Sequence, residues 1–195
     1  PDPAQTELLV KSGAICVAYE TVTDNQGGLP LLAPMSEVAG RMSVQAGAHH
    51  LEKAQCGRGV LLGGVPGVAP AKVLIIGGGV VGDNAAAMAV GMGADVTILD
   101  RSISRLRELD AKYEGRARCV YSTNAAVAEY ALDADLVVGA VLIPGAAAPR
   151  LLSRELIARM QKGAVLVDVA IDQGGCFETS VATTHENPTY VVDDV

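Results

Sequence analysis

The sequence has 195 residues, of which 50% are hydrophobic and only 3% aromatic, with no Trp and one Phe. Its net charge of −7 argues against a nucleic-acid partner, because binding to a phosphate backbone requires clustered Lys and Arg. No apolar run reaches the roughly 20 residues that a membrane-spanning helix needs, so we expect no membrane partner.

The four cysteines are Cys16, Cys56, Cys119 and Cys176, and no two of them have the Cys-x-x-Cys spacing typical of a zinc site. We therefore expect no metal. The sequence shows no secretory signal, and cytosolic proteins keep their thiols reduced. A cytoplasmic location with free thiols is the resulting prediction.

The first third of the sequence predicts two helices and one strand. Residues 5–12 are predicted to form a short helix and residues 15–20 a strand, followed by a loop over 23–32. Ser36 fits the N-cap of a longer helix that runs from Glu37 to about Lys53. The glycine-rich stretch 55–70 predicts irregular structure.

From residue 73 onward, short aliphatic runs alternate with helical patterns. The predicted strands are 73–76, 95–99, 118–121, 135–141 and 164–169. The predicted helices are 83–92, 104–112, 124–132 and 154–160. Such alternation is typical of the α/β class, a Rossmann-type doubly wound, mainly parallel sheet with helices on both faces.

A glycine motif joins the first of these strands to its helix, with Gly77, Gly79 and Gly82 at the spacing G-x-G-x-x-G. In a dinucleotide-binding turn the first glycine permits the tight turn, and the second lets a diphosphate approach the backbone. The third allows the helix to pack close to the sheet, and the helix N-terminus attracts the diphosphate. The motif therefore predicts a nucleotide cofactor.

Asp100 ends the next predicted strand, 18 residues after Gly82. A carboxylate at this position accepts hydrogen bonds from the ribose of NAD and repels the 2′-phosphate of NADP. Arg101 and Arg105 follow directly, and an Arg there can accommodate a 2′-phosphate, so NADP stays open as an alternative. FAD fits less well, because its ribose partner is usually a Glu.

Five stretches of the sequence resemble bacterial alanine dehydrogenase. They are LAPMSEVAGRM (32–42), GGVPGV (63–68), IGGGVVG (76–82), VLIPGAAAP (141–149) and VDVAIDQGGCFE (167–178). The resemblance implies oxidation of L-alanine to pyruvate and ammonia with hydride transfer to NAD, and the reverse reaction. The NAD(H)-binding subunit of proton-translocating transhydrogenase, or a non-catalytic nucleotide-binding module, is the alternative.

The resemblance also implies roles for individual residues. Asp172 matches the family's catalytic aspartate, although on sequence alone it also fits a turn-stabilising Asp. Beside the glycines, the implied cofactor contacts are Ser36, Val80, Val81, Asp100, Arg105, Ser122, Val141, Leu142, Val169, Ala170 and Ile171.

A domain organisation and an assembly follow from the same resemblance. Residues 1–35 correspond to the carboxy-terminal edge of a truncated substrate domain and a linker. Residues 36–195 correspond to the NAD-binding Rossmann domain without its carboxy-terminal part. The family's catalytic His and substrate-binding Lys and Arg belong to an amino-terminal domain outside this sequence, and its members form hexamers. We therefore expect an inactive fragment of a homo-oligomeric enzyme.

Overall fold

A computed structural model describes residues 2–141 and 148–195 of the chain. The chain divides into two compact units, Pro1–Met35 and Ser36–Val195. No helix among these residues combines the length and the apolar character needed to cross a membrane.

The first unit contains one regular helix, α1 (Pro3–Ser12). Asp2 caps it by accepting a hydrogen bond from the Ala4 N–H, and Gly13 ends it in the left-handed conformation. The strand predicted at residues 15–20 is wrong: Ile15 and Val17 are 96% and 76% exposed, and a 3₁₀ turn follows over Tyr19–Thr21. Alternating apolar residues alone do not make a strand, because its backbone groups need a neighbouring strand.

The long helix α2 (Ala33–His50) begins four residues before Glu37, where the sequence predicts its start. Ser36 therefore lies within its first turn, and the prediction that Ser36 is the N-cap is wrong. Pro34 explains the early start, since its fixed φ and missing N–H suit the first turn of a helix. The buried face of α2 carries mostly small residues, namely Gly40, Ser43, Val44 and Gly47.

The second unit is built on five parallel strands in the order β3-β2-β1-β4-β5. The strands are β1 (Lys72–Ile76), β2 (Asp95–Asp100), β3 (Ala117–Tyr121), β4 (Leu136–Gly139) and β5 (Val165–Asp168). The helices between them are α3 (Val80–Gly91), α4 (Ile103–Tyr113), α5 (Asn124–Asp133) and α6 (Arg154–Ile157). The predicted Rossmann-type fold is confirmed.

Alternate residues of the central strands enter two separate cores, one on each face of the sheet. On β1, Val73 and Ile75 pack with residues of α2, α3 and α4. Leu74 and Ile76 pack on the other face with residues of α5, α6 and the segment around Phe177. Helices therefore cover both faces, and the carboxyl ends of the strands remain as the edge where loops gather.

Three of the helices in this unit have an N-cap residue whose side chain accepts a hydrogen bond from a backbone N–H of the first turn. These residues are Ser102 for α4, Thr123 for α5 and Ser153 for α6. Helix α3 differs, because its N-cap is Gly79, which makes no side-chain hydrogen bond. The first N–H groups of α3 therefore lack the partner that a Ser or Thr supplies in the other helices.

Candidate dinucleotide-binding site

The strand order reverses direction at β1, where β2 lies on one side and β4 on the other. Open α/β sheets bind ligands at such a switch point, in the crevice outside the carboxyl ends of the strands. The loop after β1 and the end of β4 approach closely here: a Cβ built on Gly77 would lie 2.6 Å from the Ala140 carbonyl oxygen. The predicted glycine motif therefore lies at the switch point.

A different structural constraint favours glycine at each of the three positions of the motif. Gly77 has φ +104°, a conformation that L side chains rarely adopt. A Cβ on Gly82 would lie 1.8 Å from the Gly77 carbonyl oxygen, so α3 packs on the turn itself. A Cβ on Gly79 would meet no protein atom within 4 Å. Gly79 thus leaves open space beside the backbone, which is the cradle that a diphosphate requires.

The N-terminus of α3 faces this open space. Gly79 and Val80 are exposed, the latter at 45%, and Val81 is partly buried. Backbone N–H groups and the positive end of the helix dipole stabilise an anion at such a position. The donor set fits the diphosphate of a dinucleotide.

Asp100, the last residue of β2, connects the glycine turn to the start of α4. Its Oδ2 accepts the Gly78 N–H at 2.7 Å, and its Oδ1 accepts the Ser102 N–H at 2.7 Å. A carboxylate offers about four acceptor sites. Two therefore remain for the hydroxyls of a ribose, and the side chain is already fixed in position.

Gly78, which the motif leaves unspecified, is constrained as strongly as its neighbours. A Cβ there would lie 2.6 Å from Leu109 Cδ1, and its carbonyl oxygen accepts the Arg105 Nε–H at 2.7 Å. Arg105, predicted as a cofactor contact, thus stabilises the glycine turn through its hydrogen bond to Gly78. Gly78 could not be predicted from the sequence, because its neighbour Leu109 on α4 is 31 positions away.

The remaining predicted cofactor residues lie along the same edge. Ser122 follows β3 and donates its N–H to the Asp100 carbonyl at 2.9 Å. Val141 follows β4 beside Gly77. Val169 donates its N–H to the Gly139 carbonyl at 3.0 Å, and Ala170 and Ile171 continue from there. Leu142 falls outside the described residues.

Asp172, the predicted catalytic residue, lies exposed in a 3₁₀ turn (Ile171–Gln173) after β5. Asp168, which the sequence analysis missed, organises this loop. Its Oδ1 accepts the Ala170 N–H at 3.1 Å, and its Oδ2 accepts the Cys176 N–H at 2.7 Å and the Ser180 hydroxyl. One carboxylate thus closes the loop that carries Asp172.

Helix α2 also reaches this region, one turn after Ser36. Gly40 packs so closely on α3 that a Cβ would lie 2.2 Å from the Val81 carbonyl oxygen. Arg41 Nε–H donates to Asn84 Oδ1 at 3.0 Å. Gly40 and Arg41 therefore fix α2 against the first turns of α3, and neither was predicted.

A cavity of about 710 Å³ follows the outer edge of β5 and includes His50, Val167, Tyr190 and Val195 in its lining. Ile171 is the predicted site residue that contributes to it. No residue of the glycine turn lines it, so this cavity is separate from the candidate dinucleotide site, which lies at the carboxyl ends of the strands.

The four cysteines are free thiols and differ widely in exposure. Cys176 is fully buried, and burial raises its pKa to about 11, so its thiol is protonated at neutral pH. Since the thiolate is the reactive form, we expect iodoacetamide to label the exposed Cys16 and Cys56 first and to spare Cys176 in the native protein. Mass spectrometry of native and denatured samples checks this order. Labelling of native Cys176 as fast as Cys56 would contradict the buried position.

The parallel sheet, the uncapped glycine turn at the switch point and the carboxylate after β2 define a class of protein: a Rossmann-type domain of the dinucleotide-binding kind. Residues 43–195 match the family model described as "Alanine dehydrogenase/PNT, C-terminal domain". The chain belongs to this family.

Individual relatives agree with the family match. The chain is 66% identical over 190 residues to an alanine dehydrogenase of Halomonas elongata, covering 97% of this chain and 51% of that protein. A solved L-alanine dehydrogenase structure superposes with a TM-score of 0.92 at 52% identity, over 98% of this chain and 53% of the other. A transhydrogenase from Sinorhizobium meliloti is more distant, with a TM-score of 0.68, 30% identity, and coverage of 84% and 46%. The chain thus spans about half the length of the curated relatives it matches.

Proposed function

We propose that the chain is the NAD(H)-binding part of an alanine dehydrogenase, which oxidises L-alanine to pyruvate and ammonia and also runs the reverse reaction. The observation that carries the proposal is the row of predicted contacts along one edge of the sheet, from Ser122 after β3 to Asp172 after β5. A dinucleotide is an extended ligand and requires such a row. Identity to alanine dehydrogenases well above that to the transhydrogenase favours the amino-acid substrate.

Different parts of the edge would hold different parts of NAD. The N–H groups of Gly79, Val80 and Val81 would bind the diphosphate, because they begin an uncapped helix in open space. Asp100 would accept the adenosine ribose hydroxyls, with Ser122 beside it. Val141, Val169, Ala170 and Ile171 would line the nicotinamide half, and Leu142 stays a predicted contact outside the described residues. Bound NAD supplies the hydride acceptor, and the protein supplies orientation and electrostatics.

Asp172 is proposed as the catalytic residue. Its carboxylate is exposed at the carboxyl end of β5, on a loop whose shape Asp168 fixes through three backbone N–H groups and one hydroxyl. A carboxylate held in this way can orient a water molecule or an acid–base partner at the reacting carbon. Its partners in the reaction would come from the substrate domain.

Residues 1–35 are proposed as the edge of that substrate domain together with a linker. The supporting observation is their exposed apolar surface: α1 buries no residue, and Leu8, Val10 and Ile15 are exposed. Such side chains fit a contact with further protein. We further propose a cytoplasmic homo-oligomer, a hexamer as the family resemblance implies, and the free thiols are consistent with a reducing compartment.

The proposal predicts that the 195-residue chain binds NADH but does not oxidise L-alanine. Binding follows from the complete glycine turn and Asp100. Turnover would fail because the substrate-binding side chains that the resemblance implies lie outside these residues. Fluorescence titration with NADH and an alanine-dependent assay of NAD reduction check both parts. Absence of NADH binding by the folded chain would refute the proposed site, and robust turnover would refute the division between the domains.

A further inference from the structure

The guanidinium of Arg105 is held by acceptors from three directions. Its Nε–H donates to the Gly78 carbonyl at 2.7 Å, its Nη1 to Glu108 Oε2 at 2.7 Å, and its Nη2 to Asp83 Oδ2 at 2.9 Å. A guanidinium is planar and its donors have a fixed geometry. These three contacts therefore fix both the position and the direction of the group.

Of its two carboxylate partners, Asp83 holds Arg105 more firmly. Asp83 lies in the first turn of α3 with its side chain only 16% exposed, whereas Glu108 is 62% exposed. Asp83 Oδ1 also accepts hydrogen bonds from Lys112 Nζ and Tyr113 Oη, each at 2.6 Å. Exposed ion pairs contribute little because water screens them. The contact with Asp83 is therefore the one that decides where Arg105 points.

Asp83 is charged at neutral pH. Burial opposes its ionisation, but hydrogen bonds from Lys112 and Tyr113 and the positive charges of Lys112 and Arg105 outweigh that effect and hold the pKa of this carboxyl below its ordinary value. The pKa of Tyr113 is raised by burial and by the hydrogen bond to Asp83, so its hydroxyl stays a donor. The Asp83–Arg105 pair is thus ionic throughout the neutral range.

This pair lies next to the adenosine end of the proposed site. Gly78 donates its N–H to Asp100 and accepts the Arg105 Nε–H with its carbonyl, so the two side chains contact one residue. An Arg in this part of a Rossmann domain accommodates the 2′-phosphate of NADP, and a guanidinium fork matches phosphate geometry. Here each Nη of the fork already donates to a protein carboxylate, Nη1 to Glu108 and Nη2 to Asp83.

We propose that Asp83 contributes to cofactor specificity in addition to Asp100, whose carboxylate repels a 2′-phosphate: by holding the Arg105 fork against Gly78, Asp83 denies that cation to a 2′-phosphate and raises the selectivity for NAD(H) over NADP(H). Asp83 touches no part of the cofactor and acts as a positioning residue through Arg105. The inference rests on the proposed NAD(H) site and adds a second residue, beside Asp100, that affects its discrimination.

The test compares the dissociation constants for NADH and NADPH, measured by fluorescence titration of the 195-residue chain. Asp83→Asn keeps the side-chain volume but removes the charge, and it is expected to lower the NADPH/NADH ratio of dissociation constants about tenfold, the order expected for a charge-assisted contact to phosphate. The double variant Asp83→Asn with Arg105→Gln is expected to restore the parental ratio. A persistent gain in the double variant would overturn the route through Arg105.

Two matched control variants separate a change in the NADPH/NADH ratio of dissociation constants from a change in protein stability. Glu108→Gln breaks the exposed pair but leaves Asp83 in place, and Tyr113→Phe removes a hydrogen bond from Asp83 without freeing Arg105. Each is expected to shift the ratio less than about twofold, while Tyr113→Phe lowers the melting temperature. A ratio change in Tyr113→Phe as large as in Asp83→Asn would mean that loosening the helix contact, and not release of Arg105, sets the discrimination.

Arg105→Gln alone keeps the proposal testable if Asp83→Asn does not fold. Because Asp83 already holds the parental Arg105 fork away from a 2′-phosphate, the single variant is expected to change the NADPH/NADH ratio far less than Asp83→Asn does, although loss of the contact with Gly78 weakens the binding of both nucleotides. Selective loss of NADPH binding in Arg105→Gln would overturn the proposal, as would an unchanged ratio in a folded Asp83→Asn protein that binds NADH. A parental chain that binds neither nucleotide would instead refute the proposed function.

Discussion

Gly82→Ala is expected to destabilise the domain strongly, whereas Gly79→Ala is expected to leave it folded and to weaken NADH binding by about a hundredfold, or roughly 2.7 kcal/mol. A Cβ on Gly82 would lie 1.8 Å from the Gly77 carbonyl oxygen, and backbone cannot move aside as a flexible side chain can. Overpacking costs about 3 kcal/mol or more in such a case, a large part of a domain's total stability. At Gly79 the methyl group would enter only the space proposed for the diphosphate.

Thermal unfolding followed by circular dichroism and titration with NADH separate these two effects. Gly91→Ala is the control, since Gly91 ends the same helix and a Cβ there would meet no atom within 4 Å. It is expected to keep the parental affinity and to stabilise the helix slightly, because Ala is a better helix former than Gly. Parental NADH affinity in Gly79→Ala would remove the support for a diphosphate at this turn.

The sheet and the glycine turn were predictable because their signals are local. Each central strand is four to six residues long and mostly aliphatic, and parallel strands buried on both faces have this composition. The spacing of Gly77, Gly79 and Gly82 is likewise a property of six consecutive residues. Asp100 could be predicted because a βαβ unit has a limited length, which sets where its second strand ends.

The contacts that brace the site were not predictable, because they join residues far apart in sequence. Arg105 reaches Asp83 across 22 positions and Gly78 across 27. Position 40 requires glycine because α2 packs directly on the Val81 carbonyl. This contact exists only after both helices have packed. A charged residue on a helix normally indicates a solvated face, so Asp83 carried no signal of its own.

The errors have the same origin. Ile15 and Val17 have strand-like alternation, but the described residues of their unit offer no strand with which to pair. Ser36 is a good N-cap residue, yet the helix already begins at Ala33, with Pro34 in its first turn. In both places the residues have the expected local propensity, but their structural surroundings produce a different local structure.

Asp100→Ala is expected to weaken NADH binding by about 1–3 kcal/mol, or roughly 5- to 150-fold, because it removes a charge-assisted hydrogen-bond acceptor for the ribose. It is also expected to lower the melting temperature, since the Gly78 and Ser102 N–H groups lose their partner. Asp100→Asn separates the two roles, because an amide oxygen still accepts one of these N–H groups but carries no charge.

Glu129→Ala is the matched control for Asp100, since it removes an exposed carboxylate on α5 and is expected to change neither NADH affinity nor stability. In Asp100→Asn we expect most of the stability to return while NADH affinity stays about tenfold low, because the ribose hydroxyls are better bound by a carboxylate than by an amide. Parental affinity in a folded Asp100→Ala protein would contradict the ribose contact and would leave Asp100 as a residue that only shapes the glycine turn. Full affinity in the Asn variant but not in the Ala variant would mean that Asp100 acts through Gly78 alone.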